Sequence, residues 1–302
     1  MSLLLAAALT RTIVPTAVEP PRETDPCARF ERLAVPDGEA TRPMTVGDLV
    51  TITDIGRYMP DPTPSPFGFS PDRSLMAVLT QNADPESNSY CLRMMVMPTN
   101  GSGDPIEVAR GGEFIFDDFP LRDFMTVRAG WAKPYTPRWS PDGANIAFLR
   151  RHGGSTQVWL ADPGGGTAPR QATFLPDDVD SFAWSPDGDR LIVATRPDIR
   201  RAAEAIAREG RRGFLFDSRF APQFADYPVP TGVAGQTYTS VAIGDGMMRA
   251  ATKEEVQALE LTKPDDLPPR ARAFRVGARG LSAWLEPKFP EQILSPTRLV
   301  VK

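Results

Sequence analysis

Trp-Ser-Pro-Asp-Gly at residues 139–143 is the stretch that decides the fold of this chain. It recurs unchanged at 184–188, and a looser copy, Phe-Ser-Pro-Asp-Arg, occurs at 69–73. Serine, proline, aspartate and glycine in this order suit a type I turn. The apolar segment behind each copy is rich in β-branched and large residues and is too short for a helix. Each copy therefore predicts a corner, which is a strand, a tight turn and a second strand.

The spacing of the corners predicts a repeat architecture. Trp139 and Trp184 are 45 residues apart, which is the length of one four-stranded propeller blade. We therefore predict an all-β fold, an incomplete β-propeller of four-stranded blades with one or two inserted helices. In each corner the aromatic residue is expected to pack in the core and the aspartate to support the turn. The six residues given these structural roles are Phe69, Asp72, Trp139, Asp142, Trp184 and Asp187.

Short apolar segments between turn signals predict the strands of three blades. The segments after the first strand of each blade are Leu75–Thr80, Tyr90–Met97 and Pro105–Ala109; Ile146–Arg150, Gln157–Ala161 and Arg170–Phe174; and Leu191–Ala194, Thr237–Ile243 and Met247–Ala250. Val46–Ile55 predicts a further β segment, and Arg272–Val276 and Leu281–Glu286 predict strands of a fourth blade. Apolar residues on one face predict a helix over Ile199–Arg212, and Thr252 with Glu255 predicts a capping box for a short helix to Leu261.

The number of predicted blades indicates whether the propeller ring is closed. Three clear blades and parts of others do not close a ring, which usually needs four to eight blades. An unclosed propeller leaves an unpaired strand edge. We therefore expect this chain to be a fragment or one product of a split gene, with a leader and linker at 1–43 and a partial propeller at 44–302.

Composition and charge exclude several classes of function. The net charge is −4, so the chain has no electrostatic footprint for nucleic acid. The apolar run at 1–10 is too short to span a membrane. It fits a secretory signal in length but lacks a basic segment before it, which leaves a processed or truncated signal open. The two cysteines, Cys27 and Cys91, could pair in an oxidising compartment, but two buried or free thiols are the favoured interpretation.

The sequence offers little material for catalysis. It contains no Gly-x-Ser-x-Gly elbow, and its one histidine, His152, lies in a Gly-rich hairpin and is expected to be an exposed loop residue. No spacing of histidines and cysteines suits a metal, and no cofactor is implied. Asp177, Asp178 and Asp180 could bind a cation, but a solvated loop is the favoured interpretation.

Two irregular additions to the blades are candidates for ligand contact, because binding function concentrates on such segments. The first is the aromatic insertion at Gly111–Pro134 with the residues just after it, and the second is the predicted helix. The candidate contact residues are Trp131, Lys133, Tyr135, Arg138, Arg200 and Arg201. The alternatives are a small satellite core for the insertion and a solvated basic face for the helix.

A resemblance to a known family rests on four stretches. These are Met44–Gly56, Phe-Ser-Pro-Asp at 69–72, the doubled Trp-Ser-Pro-Asp-Gly, and Pro197–Arg200. Together they resemble the N-terminal propeller of the prolyl-oligopeptidase family, and within it the lasso peptide isopeptidases of proteobacteria. The resemblance covers residue 44 to the end. The Trp-Ser-Pro-Asp-Gly corner alone is shared with many propellers, including the TolB type.

The resemblance implies a division of labour between two domains. Members of the family carry a C-terminal α/β-hydrolase domain with a Ser-Asp-His triad and hydrolyse the isopeptide bond of threaded lasso peptides. This sequence lacks that domain, so no catalytic residue is carried over and the chain alone is expected to be inactive. The implied partners are a lasso peptide and a hydrolase domain encoded in the same or an adjacent gene. A periplasmic or otherwise exported location is expected, with the cytoplasm as the alternative. The competing hypothesis is a TolB-like periplasmic propeller that acts as a protein-binding module.

Overall fold

The computed structural model describes Cys27 and residues 43–55, 65–121, 123–223, 225–259, 272–276, 282–288 and 297–301. Most of the predicted leader and linker at 1–43 lies outside these residues. Within them the chain is mainly antiparallel β-structure, as predicted, and three sheets have four strands each. The incomplete propeller predicted from the corners is therefore confirmed as a fold class.

The three four-stranded sheets are the blades predicted from the sequence. The first blade contains β1 (Phe67–Phe69), β2 (Leu75–Asp84), β3 (Ser89–Pro98) and β4 (Ile106–Arg110). Between the first two blades lies a two-stranded hairpin, β5 (Phe116–Leu121) and β6 (Phe124–Ala132). The second blade contains β7 (Arg138–Trp139), β8 (Ile146–His152), β9 (Ser155–Ala161) and β10 (Arg170–Gln171). The third contains β11 (Val179–Trp184), β12 (Arg190–Thr195), β13 (Thr237–Ala242) and β14 (Met248–Ala250).

Helices and a further sheet complete the described elements. Helix α1 covers Val46–Val50, α2 covers Pro197–Gly210 between β12 and β13, and α3 covers Lys253–Leu259. The predicted capping box of α3 is present, since Glu255 N donates to Thr252 Oγ1 (3.3 Å) and Thr252 N donates to Glu255 Oε2 (2.8 Å). The last three strands, β15 (Arg272–Val276), β16 (Ser282–Pro287) and β17 (Thr297–Val301), form one antiparallel sheet.

The corners have the predicted turn geometry. Gly143 N donates to Ser140 O at 2.9 Å, and the Ser140 hydroxyl donates to Asp142 and accepts from Asn145 N. The glycine that ends the turn has a φ of +74° at Gly143, a conformation that favours glycine over other residues. The first corner places Arg73 in the same conformation, with φ at +63°.

Indole groups of the corners connect neighbouring blades. The Trp139 indole N–H donates to Gly68 O in the first blade, and the Trp184 indole N–H donates to Arg138 O in the second, both at 2.9 Å. Both tryptophans are half-buried and pack against the core, as predicted. The aromatic residue of the first corner does not pack in the core. Phe69 is 54% exposed, so the prediction of a core role for it is wrong. Trp139 and Trp184 each contact the blade before their own, and the described residues include no blade before the first for Phe69 to pack against.

Two further predictions are corrected by the structure. Val46–Ile55 is not a β segment, because Thr45 and Asp48 form a reciprocal capping box that starts α1; only Asp54 makes an isolated bridge, to Gln81. Cys27 and Cys91 are not free thiols but form a disulfide, and both residues are buried. The sequence separation of 64 residues gave no sign of this pairing, since neither cysteine has a local partner.

Candidate functional site

The irregular additions to the blades lie at one end of the propeller. In each blade the first strand runs toward its corner, so antiparallel order returns the second strand to the opposite end. The loop between the second and third strands and the connection to the next blade therefore meet at that opposite end. Hairpin β5–β6, helix α2 and the segment between β10 and β11 are all of these two kinds. We call this side of the molecule the insertion end.

Four charged side chains from distant parts of the chain form a cluster at the insertion end. Arg196 donates to Asp180 through Nε (2.6 Å) and Nη2 (2.8 Å), and to Asp118 of β5 through Nη2 (2.8 Å). Lys133 Nζ lies 3.4 Å from Asp180 Oδ1 and 3.6 Å from Asp118 Oδ1. The four side chains are 14% to 25% exposed. Because two cations meet two carboxylates, the charged cluster is neutral and fixes hairpin β5–β6 to the third blade.

The charged cluster favours the ionised forms of Asp118 and Arg196. Burial is the largest single influence on Asp118 and raises its pKa, but the Thr126 hydroxyl (2.5 Å) together with Arg196 and Lys133 outweighs it. The pKa of Asp118 therefore lies below its usual value. Burial also opposes the charge of Arg196, but the two carboxylates outweigh that effect and raise its pKa. Each charge is stabilised by the groups opposite to it.

A cleft of about 770 Å³ opens beside the charged cluster. One wall is the hairpin and the other is the segment 232–238. Two hydrogen bonds at the start of this segment join it to the hairpin: Met125 N donates to Pro230 O (2.8 Å) and Gly232 N donates to Asp123 O (2.7 Å). Apolar side chains line it next to the charges, namely Pro120, Phe124, Met125, Val233 and Tyr238. The volume of this cleft lies within the range found for ligand sites.

A smaller cavity of about 100 Å³ lies between the first and second blades, beneath residues 111–115. Its walls are mainly apolar and come from both blades and the insertion. The apolar residues include Leu79, Leu92, Met94, Phe114, Ile115, Phe148 and Leu149. Arg93, Arg150 and Arg151 also line it, together with Lys133 at its edge. We call it the inter-blade cavity.

The structure does not bring the four candidates from the insertion into one site. Trp131 of β6 is 36% exposed, stacks on Phe119 and donates its indole N–H to Asp117 (3.1 Å). Lys133 belongs to the charged cluster and lines both the cleft and the inter-blade cavity. Tyr135 lines the cavity and donates its hydroxyl to Leu149 O (2.6 Å). Arg138 lies in β7, the first strand of its blade, and lines neither space.

The two candidates on α2 make ion pairs at the surface. Arg200 donates to Asp177 (2.6 Å) and Glu204 (2.8 Å), and Arg201 donates to Asp198 (2.5 Å). Neither arginine lines the cleft or the cavity. The contact of Arg200 with Asp177 anchors α2 to the connection between the second and third blades, and the other two pairs lie within the helix.

The carboxylates at 177–180 are ion-pair partners. Asp177 pairs with Arg200, Asp178 with Arg151 (2.9 Å) and Asp180 with Arg196. Each faces a different cation, so the interpretation as a merely solvated loop is wrong. In the part of the chain that the structure describes, no group of three His, Cys, Asp or Glu residues could hold a metal ion.

At the insertion end, one residue was predicted correctly from the sequence and three residues were not identified. His152 is exposed, as predicted, although it ends strand β8 and lies near the Trp159 ring. Asp118, Arg196 and Arg150 were not among the candidate residues. The available signal was weak: a carboxylate within an aromatic insertion, and an arginine directly before the proline that begins α2.

Comparison with known proteins gives one strong match. No family model matches the chain. The chain is 34% identical over 264 residues to the lasso peptide isopeptidase AtxE2 of Asticcacaulis excentricus, over 86% of this chain and 36% of that protein. It is 27% identical over 146 residues to the uncharacterized peptidase YuxL of Bacillus subtilis, over 48% of this chain and 19% of that protein. The chain thus spans about a third of the length of the first of these relatives.

Solved structures agree with the sequence match. The AtxE2 isopeptidase variant with Astexin3-dC4 bound superimposes with a TM-score of 0.71 at 31% identity, over 87% of this chain and 39% of that chain. The unliganded enzyme superimposes with a TM-score of 0.69 at the same identity, over 86% of this chain and 38% of that chain. No helix among the described residues is both long and apolar enough to cross a membrane.

Proposed function

We propose that this chain, which belongs to the lasso peptide isopeptidase family, is the substrate-admitting propeller portion of such an enzyme. The observation that carries this proposal is the similarity over 86% of the chain to AtxE2, which has been solved with Astexin3-dC4 bound. In this proposal the chain binds a threaded lasso peptide, and a separate α/β-hydrolase domain hydrolyses its isopeptide bond.

The cleft at the insertion end is the proposed place of peptide contact. Its apolar wall of Phe124, Met125 and Val233 suits the side chains of a peptide, and the neighbouring Lys133 and Tyr238 offer polar groups. The ion pairs of Asp118 with Arg196 and Lys133 hold the two walls in place before a ligand arrives. A preformed site loses less conformational entropy on binding, which favours affinity.

Catalysis is assigned to the hydrolase domain because the nucleophile is absent from this chain. The sequence has no Gly-x-Ser-x-Gly elbow, and its one histidine lies at an exposed hairpin. Acyl transfer by a serine needs a nucleophile and a base within hydrogen-bond reach of each other. The 302-residue chain is therefore expected to bind a lasso peptide and leave it intact.

A binding measurement tests the proposal. The purified chain is titrated with Astexin3-dC4 by calorimetry, and we expect saturable binding that Val233→Glu weakens at least tenfold. Val233 is 91% exposed and lines the cleft, so the new charge meets the ligand without disturbing the core. Leu215→Glu is the matched control, since Leu215 is 70% exposed and lies outside the cleft. Absence of binding, or equal loss in both variants, would contradict the proposal.

Mass spectrometry tests the proposal that this chain binds the peptide and the hydrolase domain hydrolyses it. Incubation of the chain with the lasso peptide is expected to leave the peptide mass unchanged, because the chain supplies no activated nucleophile. Addition of the hydrolase domain should increase the mass by one water. A hydrolysed product with the chain alone would show that the catalytic assignment is wrong.

An exported location forms part of the same proposal. The disulfide between Cys27 and Cys91 supports it, because disulfides persist in oxidising compartments such as the periplasm and are rare in the cytosol. Fractionation of cells that express the gene with its native N-terminus is expected to place the protein in the periplasm. Recovery in the cytoplasm with both thiols alkylatable would contradict it.

A TolB-like binding module is the second candidate. The shared blade architecture and the corner motif are compatible with it, but neither points to a particular partner. Co-purification with a cell-envelope protein, in the absence of any binding to Astexin3-dC4, would favour this alternative.

A further inference from the structure

The residues that line the inter-blade cavity include two with a polar atom that the described chain does not satisfy. Thr80 Oγ1 and Arg150 Nε are buried and have no hydrogen-bond partner among the described residues. Both residues line the cavity. A buried polar atom without a partner loses its hydrogen bonds to water and gains none in return, so native proteins rarely retain one without a ligand or water.

Arg150 is a cation of this cavity that has no carboxylate partner among the described residues. Its guanidinium lies 4.6 Å from the Trp159 ring centre, and burial lowers the pKa of Arg150. Arg151, its neighbour, is paired with Glu113 (3.4 Å) and Asp178. Glu113 is the only carboxylate residue lining the cavity in the described part of the chain, and its pairing with Arg151 leaves the charge of Arg150 uncompensated.

The backbone above Arg150 is shaped to fix its guanidinium. Gly111 and Gly112 have φ values of +83° and +111°. A Cβ atom on Gly112 would lie 3.0 Å from Arg150 Cγ, and one on Gly111 would lie 3.3 Å from Nη2. Trp159 lies against the guanidinium as well, so Arg150 is positioned in advance of any ligand.

The remaining walls define the apolar part of a ligand. Leu79, Met94, Phe148 and Leu149 surround a space of about 100 Å³. Apolar cavities of about 150 Å³ take up benzene, so this one suits an aliphatic side chain. A ligand that satisfied both the walls and Arg150 would carry an aliphatic group next to a carboxylate.

We propose that the inter-blade cavity is a peptide subsite, which binds an aliphatic side chain and an adjacent carboxylate through Arg150 and Thr80. The proposal rests on the proposed function, because it assigns the ligand to a peptide. The carboxylate comes either from a free C-terminus or from an acidic side chain. Both sources present the same two oxygens to the guanidinium.

Small probes test the cavity by itself. The full chain, labelled at its methionine methyl groups, is titrated with N-acetyl-leucine and with N-acetyl-leucinamide in an NMR experiment. We expect the acid to bind about tenfold or more tightly than the amide, because only the acid forms a charge-assisted bond with Arg150. The Met94 methyl in the cavity should shift, and the Met125 methyl in the cleft should not. Equal binding of acid and amide, or no saturable binding, would overturn the proposal and leave a cavity filled by water.

Two variants separate ligand binding from a structural role. Arg150→Gln is expected to weaken binding of the acid at least tenfold, whereas Arg208→Gln, an exposed arginine of α2, should leave it unchanged. Thr80→Val keeps the shape and removes a hydroxyl that the chain does not use, so stability should not fall while binding weakens a few-fold. A fall in stability with unchanged binding would assign Thr80 to the fold and overturn its part in the subsite.

Two dipeptides then identify the source of the carboxylate, and the lasso peptide separates this proposal from the proposed function. N-acetyl-Gly-Leu with a free C-terminus represents a peptide end, and N-acetyl-Leu-Asp-amide represents an acidic side chain. Binding of either one with a shift at Met94 supports the subsite, and binding of neither overturns it. If N-acetyl-leucine binds but Astexin3-dC4 does not, the carboxylate site stands and the proposed function fails.

Discussion

The corner end and the insertion end of the propeller are stabilised in different ways. At the corners the polar contacts within each turn join near neighbours, such as Asn145 N with Ser140 Oγ five residues away. At the insertion end they join distant elements, such as Arg196 with Asp118 across 78 residues. The bonds within the turns define the repeat, the indole groups of Trp139 and Trp184 join each blade to the one before it, and the ion pairs at the insertion end define the clefts. A change at one end should therefore weaken a turn, while a change at the other should alter how elements pack together.

The largest effect is expected from the disulfide, which joins Cys91 of β3 to Cys27. The double variant Cys27→Ala with Cys91→Ala should lower the free energy of unfolding by about 4 kcal/mol, because it frees a closed loop of 64 residues in the unfolded chain. Urea denaturation measures the change.

Urea denaturation in the presence of a reducing agent, which breaks the disulfide, provides the control for that experiment. The reducing agent should lower the free energy of unfolding of the native protein by about as much as the double substitution does, and it should leave the double variant unaffected. A native protein whose urea midpoint is unchanged by reductant would show that the bond does not contribute to the folded state.

A smaller but still large effect is expected where the first strands of two blades meet. A Cβ atom on Gly68 would lie 1.9 Å from Pro137 O, so Gly68→Ala must displace backbone in β1 or in the segment before β7. We expect a loss of about 3 kcal/mol in the free energy of unfolding. Gly130→Ala is the matched control, since a Cβ atom on that strand residue meets nothing within 4 Å. Similar losses in both variants would show that the contact between blades is not the cause.

The difference between the two ends also explains what the sequence could predict. The corner motif is contained in five consecutive residues, so its turns, its following strands and the blade period could all be predicted from it. Helix α2 was predicted to within two residues at each end because its apolar face repeats locally. The charged cluster could not be predicted in this way, because Asp118, Asp180 and Arg196 are joined only by the packing of blades. The same reason applies to the disulfide. Helix α1 is different, because its capping box is local and was overlooked in a segment that favours β-structure.

The charged cluster should show an intermediate effect. Asp118→Asn removes the bond to Arg196 and the contact with Lys133, and we expect a loss of about 2 kcal/mol, between the values typical of surface and of buried pairs. Glu204→Gln, which removes an exposed pair with Arg200 on α2, should cost only a few tenths of a kcal/mol. Urea denaturation of both variants measures the contrast, and equal losses would contradict a special role for the cluster.

The acid dependence of stability gives a second measurement of the charged cluster. The pKa of Asp118 is lower in the folded chain than its ordinary value near 3.8. The carboxylate therefore contributes its full stability above that ordinary value and loses it as the pH falls through the folded pKa. Asp118→Asn should flatten the fall in stability below about pH 4. A variant with an unchanged acid profile would show that other carboxylates dominate.

The smallest effect on stability is expected from a substitution that makes the first corner like the other two. Arg73 in the first corner adopts the conformation that glycine takes in the other two, with a φ of +63° against +74° and +78°. A left-handed conformation costs a non-glycine residue roughly 1 kcal/mol. Arg73→Gly should therefore stabilise the chain by somewhat less than that, because glycine also gains freedom in the unfolded state. Arg73→Ala removes the same side chain and retains the backbone cost, so it should leave stability unchanged. If both variants stabilise the protein equally, the arginine side chain and not its backbone is the source of the strain, and the first corner differs from the others by charge alone.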